Sequence, residues 1–254
     1  MRQQDNSPNQ NPFAAAAQQA AAQQAAAQRS TGRLQGFQNP TDQAFAPAFS
    51  AEQAIAYLKQ VYVLLGASLF LAVAAGWVGM QASFAHEHPF VLMFMQLGAV
   101  FLAMKVPHPA TLFLFTGLSG FALGPLIAVY VNAGMSAVVG QAAFMTAGGF
   151  LGLSAYAMTT KKDFSRWGGI LFAGVIAVLV GGVVNMFLQS SALMFAMSAA
   201  GSVIFSALIL FDTQQLRNNP WAIPPTVGAL TLYLNIINLF IFLLQLMGFL
   251  GGDD

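Results

Sequence analysis

From residue 58 onward the chain is a succession of long apolar stretches separated by short polar punctuation, and this pattern limits its fold more than any motif within it. The stretches run over 58–78, 89–106, 109–131, 137–158, 168–188, 192–211 and 225–250. A helix needs roughly 17–25 apolar residues to cross about 30 Å of hydrocarbon. It also satisfies its own backbone polar groups, as lipid requires. The pattern predicts an all-α integral membrane protein with seven transmembrane helices. The second stretch is the shortest, and the seventh carries Asn235, Asn238 and Gln245, which makes it the least regular span.

Composition supports that reading. Only 7% of the residues are charged and 57% are hydrophobic, whereas a soluble domain has roughly 25% charged residues. The chain cannot cover a water-facing surface, and the partner it implies is a lipid bilayer, with nothing that points to nucleic acid. It has no cysteine, which excludes disulfides, thiolate metal sites and cysteine nucleophiles.

Residues 1–50 differ in kind. They are rich in Gln, Ala, Asn and Pro with few large apolar side chains, so they are expected to be a disordered tail. As a coil, such a tail reaches on the order of 40 Å. The Ala-rich run 14–28 does not read as a signal peptide, because Gln18, Gln19, Gln23, Gln24 and Gln28 interrupt it. The expected organisation is a cytosolic tail over 1–50 and a seven-helix domain over 51–254.

Lys and Arg mark the cytoplasmic side. Arg2, Arg29, Arg33 and Lys59 precede or begin the first span; Lys105 follows the second; Lys161, Lys162 and Arg166 follow the fourth; Arg217 follows the sixth. The segments 81–88, 132–136 and 189–191 contain none. All nine basic residues therefore fall on one side, with the amino terminus in the cytosol; seven crossings put the carboxyl terminus outside, whereas a re-entrant last segment would leave Asp253 and Asp254 in the cytosol.

Gly117-Leu118-Ser119-Gly120 has the form of an intramembrane serine protease motif, but the serine would need a base within hydrogen-bond reach. His86, His88 and His108 all precede it in loops, and no later helix supplies a His or Lys. Gly117, Gly120 and Gly124 read better as a smooth face for close helix packing. A retinal Schiff base is excluded because no lysine follows Lys162. His86-Glu87-His88 lacks a firm third metal ligand and reads as a solvated loop, so no metal or other cofactor is expected.

At about 100° per residue, Gly228, Thr231, Asn235, Asn238 and Gln245 fall within a sector of about 100° on the last helix. A stripe of amides must face protein or water rather than lipid. Two readings stand: interhelical hydrogen-bond glue, or the lining of a polar path or gate. Asp212, at the end of the sixth stretch, is the other candidate gate or proton-sensing group, with Arg217 as a possible ion-pair partner.

The chain resembles the Bax inhibitor-1 family of membrane proteins, in particular its bacterial YccA-like branch. The resemblance covers roughly residues 56–250 and rests on several motifs in order. These are Leu123-Gly124-Pro125, Thr146-Ala147-Gly148-Gly149-Phe150, Ser154-Ala155-Tyr156 with Thr159-Thr160-Lys161-Lys162-Asp163, and Asn185-Met186-Phe187-Leu188-Gln189. Phe211-Asp212-Thr213-Gln214 and Leu232-Tyr233-Leu234-Asn235-Ile236-Ile237-Asn238-Leu239-Phe240 complete the set.

The resemblance implies a bundle whose last helix is central and wrapped by the other six, in a bacterial inner membrane. It implies a non-enzymatic modulator of an FtsH-type membrane protease. The alternative it raises is a pH-modulated calcium or cation leak channel, in which two facing aspartates share a proton. Asp212 matches the first of these aspartates, and Asn235 stands where the second would be.

Overall fold

Every apolar stretch is an α-helix in the computed structural model, which describes residues 50–251. The helices are α1 (Ala51–Gln81), α2 (Ser83–Glu87), α3 (Pro89–Lys105), α4 (Pro109–Asn132), α5 (Ser136–Thr159), α6 (Gly168–Leu188), α7 (Ser191–Asn218) and α8 (Pro225–Leu250). A 3₁₀ turn, Ser165–Trp167, leads into α6. No strand occurs among the described residues. The chain divides into Met1–Ser50 and Ala51–Asp254; the expected disordered tail, apart from Ser50, lies outside the described residues.

Among the described residues, six helices are long and apolar enough to cross a membrane: α1, α4, α5, α6 with its leading turn, α7 and α8. The seventh apolar helix, α3, has 17 residues and is shorter than that standard. Its bounds follow local chemistry: Pro89 occupies the first turn, where a missing N–H is no loss, and Pro107 follows its end. Polar punctuation hid the short α2 in what reads as a loop.

The tightest packing joins α1 and α4. A Cβ on Gly120 would collide with the backbone of Ala72, one on Gly124 with Gly79 and Met80, and one on Gly79 with Phe121. Gly120 and Gly124 thus perform the close-packing role expected of them. Gly117 makes ordinary contact, its added carbon standing 3.5 Å from Leu71 Cδ2. These contacts advance along both helices together, so α1 and α4 run parallel. The chain between them must return the length of the bundle, and α3 is the element that carries it back.

The last helix is the most enclosed: 56% of its apolar window is buried, the largest share of the six. It packs against α1, α3, α4, α5 and α7. Leu232, Tyr233, Leu239 and Leu244 lie in the interior, and Phe115 meets Tyr233 edge to face at 5.9 Å. The expected wrapping by six helices needs one correction, because α6 packs mainly on α7 and keeps most of its apolar surface outward.

A second correction concerns α7. Its apolar run ends near Phe211, but the helix continues to Asn218. Asp212 therefore lies inside the helix rather than at its end. The extra turns are polar in sequence yet buried in part, and tertiary hydrogen bonds hold them.

Candidate functional site

Asp212 and Asn235 meet where α7 crosses α8. Asn235, 5% exposed, donates through Nδ2 to Asp212 Oδ2 at 2.6 Å. This is the pair singled out in the sequence from two separate motifs. The second acidic position of the resemblance is filled by an amide, so a single carboxyl group sits here with a neutral donor. An ionised carboxylate accepts such a bond strongly, whereas two carboxylates would have to share a proton.

The rest of the polar stripe divides. Gln245 Oε1 accepts from Ser198 Oγ on α7 at 3.1 Å, a second bond between the same helices. Asn238 Nδ2 turns back to its own Leu234 carbonyl at 2.7 Å, and Thr231 Oγ1 does the same to Val227 at 3.0 Å. Asn235 and Gln245 act as interhelical glue, while Asn238 and Thr231 are satisfied within α8.

Arg217 lies elsewhere. Its Nη1 donates to the carbonyls of Ala157 at 2.7 Å, Met158 at 2.9 Å and Thr160 at 3.3 Å. It thereby caps the carboxyl end of α5, whose last carbonyls lack helical partners. Among the described residues no Asp212–Arg217 ion pair forms, and the guanidinium is engaged by backbone instead.

Gln214 is a functional-looking residue that the sequence reading passed over. It is 2% exposed; its Oε1 accepts the Phe164 N–H at 2.7 Å and its Nε2 donates to the Lys162 carbonyl at 2.6 Å. Thr213 beside it reaches Ser154 on α5 at 3.4 Å. Phe211-Asp212-Thr213-Gln214 thus serves three contacts from one turn: Asp212 to α8, Thr213 to α5, and Gln214 to the α5–α6 loop.

In that loop Asp163 accepts from Ser165 N and Ser165 Oγ, both at 2.9 Å. The Ser165 backbone bond, then its hydroxyl, hold the Asp163 carboxyl below the usual range, with Arg166 adding a smaller pull. His86, Glu87 and His88 lie on α2 and its cap, with His86 Nδ1 3.0 Å from the Ala82 carbonyl. No group of three or more metal-ligating side chains forms among the described residues.

The model of the family described as Inhibitor of apoptosis-promoting Bax1 matches residues 55–252. The chain belongs to that family. It is 37% identical over 204 residues to the protein named Modulator of FtsH protease YccA of Escherichia coli, covering 77% of this chain and 91% of the relative. An uncharacterized membrane protein of Vibrio cholerae is 36% identical, covering 78% and 91%. The Inner membrane protein YbhL of Escherichia coli is 32% identical, covering 76% and 91%.

In this Bax inhibitor-1 family chain the matched region takes in every residue of the α7–α8 site and the α5–α6 loop. The match begins at residue 55, so the Gln/Ala-rich residues 1–50 lie outside it. Gln214 could have been found from sequence by one signal: it is a second polar residue two positions after Asp212 in a quoted motif, on a segment too polar to be an apolar span.

Proposed function

We propose that this chain is a non-enzymatic membrane protein that modulates an FtsH-type membrane protease. The observation that carries the reading is the 37% identity to the relative named as such a modulator, over 91% of that relative. The helical bundle supports it physically. A protease that pulls a chain out of lipid must break the α1–α4 glycine contact and the hydrogen bonds joining α7 to α5 and α8. A bundle so tied would occupy the protease while yielding slowly.

In this reading the chain crosses a bacterial inner membrane seven times, α3 making the return between α1 and α4. Its amino terminus is cytosolic and its carboxyl terminus external. The basic residues support that orientation. Residues 1–50 would be the segment the protease engages, since their composition lacks the apolar side chains of a packed core. The test is a pulse-chase of a second FtsH membrane substrate in cells overproducing the full-length chain or one without residues 1–50. The full-length chain should slow turnover of the reporter, and the truncated chain should not, while itself living longer. Equal half-lives with the full-length and the truncated chain would remove the mechanism.

The cation-leak alternative, with calcium as the ion, would rest on Asp212. Its partner is an amide rather than a second carboxylate, which leaves less charge to attract a divalent ion. Calcium flux through proteoliposomes, wild type against Asp212→Ala, measures it directly.

A further inference from the structure

An apolar groove of about 620 Å³ opens sideways between α1 and α5, with α4 and α8 as its floor. On α1 it extends from Leu69 to Met80; on α5 it extends from Val139 to Leu151. Gly120 and Ile127 of α4 and Ile236 of α8 line the bottom. Its rim faces outward: Val73 is 75% exposed, Trp77 67% and Leu151 66%. The groove is therefore continuous with the lipid-facing surface of the bundle.

Its chemistry and dimensions narrow the occupant. Thr146 is the one hydroxyl-bearing lining residue, and that hydroxyl is already bonded to the Ala142 carbonyl at 2.7 Å. A polar ligand would find little there beyond the lone pairs of that hydroxyl and the indole N–H of Trp77 at the rim. From Leu69 to Met80 the wall is roughly 17 Å long at a rise of about 1.5 Å per residue. That is close to half of the roughly 30 Å hydrocarbon core, the depth of one leaflet. A transmembrane helix needs the full bilayer depth of roughly 30 Å, so the groove is too short for one and matches an acyl chain confined to one leaflet.

The groove also has a direction. It occupies the half of α1 beyond Leu69 and the amino-terminal half of α5. Arg217 caps the opposite end of α5. Trp77 stands within the last turn or so of α1, where an indole suits the headgroup level.

We propose that one acyl chain of a bilayer lipid lies lengthwise in this groove, entering from the leaflet at the end of the bundle remote from Arg217. It covers the flank of α8 at Ile236, the residue after Asn235, so the central helix is packed by lipid as well as by protein.

The experiment uses the full-length protein in phosphatidylethanolamine and phosphatidylglycerol vesicles. A trace phosphatidylethanolamine carries a diazirine midway along one acyl chain. Photolysis and peptide mapping should place cross-links on the groove walls several-fold more often than on exposed Phe172 and Leu179 of α6. Ala147→Phe narrows the groove from α5, and Val73→Trp narrows it from α1. Both positions are exposed, so neither change fills a packed core. Each variant should lower groove labelling while α6 labelling holds. Groove labelling equal to that of α6, or unmoved by both variants, overturns the proposal. So does cross-linking of these walls in cells to a second polypeptide in place of lipid.

Discussion

Asn235 on α8 and Asp212 on α7 are joined by a 2.6 Å hydrogen bond in which the amide is the donor and the carboxylate the acceptor. The bond ties the most enclosed helix of the bundle to its long neighbour at the one acidic residue within α7. Because the contact is direct, a change at either residue is felt by the other.

Asn235→Asp should place a second carboxylate against the first, forcing the two to share a proton or bind a cation. Calcium binding by isothermal titration should be stronger in the variant than in the wild type, and stronger at higher pH, where both carboxyls are ionised. No gain at either of two pH values would show that the two side chains part when both are acidic. Asn235→Leu removes the donor instead and should destabilise the bundle by about 1–3 kcal/mol, read as a lower melting temperature in detergent.

The glycines separate by environment. A Cβ on Gly124 runs into the backbone of Gly79 and Met80, whereas one on Gly148 meets nothing within 4 Å. Gly124→Ala should destabilise by about 1–3 kcal/mol or more as α1 and α4 are forced apart. Gly148→Ala should be neutral or slightly stabilising, since alanine is the better helix former by roughly 1 kcal/mol. Thermal unfolding of the two purified variants compares them directly.

Gln214→Leu keeps the size of the side chain but leaves the Phe164 N–H and the Lys162 carbonyl without their partner. The expected loss is about 1–3 kcal/mol. Amide exchange should rise first at Phe164 and its neighbours, before the core of α8 changes. A uniform rise across all helices would mean that Gln214 supports the whole bundle rather than the α5–α6 loop.

The same loop should carry an acid-sensitive contact. The folded Asp163 carboxyl is held below its ordinary value by the two Ser165 bonds. A depressed carboxylate contributes its stability above the unfolded pKa and loses it as pH falls through the folded value. The Ser165 amide should therefore be protected at neutral pH and lose that protection only in acid. Ser165→Ala removes the hydroxyl bond and should move the loss to higher pH, which a pH series of Asp163 carbon shifts would detect.

The amino-acid sequence by itself determined the elements. Runs of about 20 apolar residues have one stable form in lipid, so the helices around 109–131, 137–158 and 168–188 were legible to within a few residues. The polar stripe on α8 was legible for the same reason: Asn235 and Gln245 cannot face hydrocarbon, and each bonds to α7. The family motifs also selected Asp212 and Asn235 as a pair. Tertiary structure decided what each polar group meets. Arg217 lies close enough in sequence to suggest an ion pair with Asp212, but the unpaired carbonyls at the end of α5 claim its guanidinium. The length of α7 was hidden because Asp212–Asn218 is polar, and only the loop packed against Gln214 makes those turns worth folding. The lateral groove was equally invisible, since the same apolar side chains serve a tight interface or a lipid-facing cleft. Hydrophobic periodicity reports which residues avoid water. Whether they then meet another helix or an acyl chain depends on how the backbones cross.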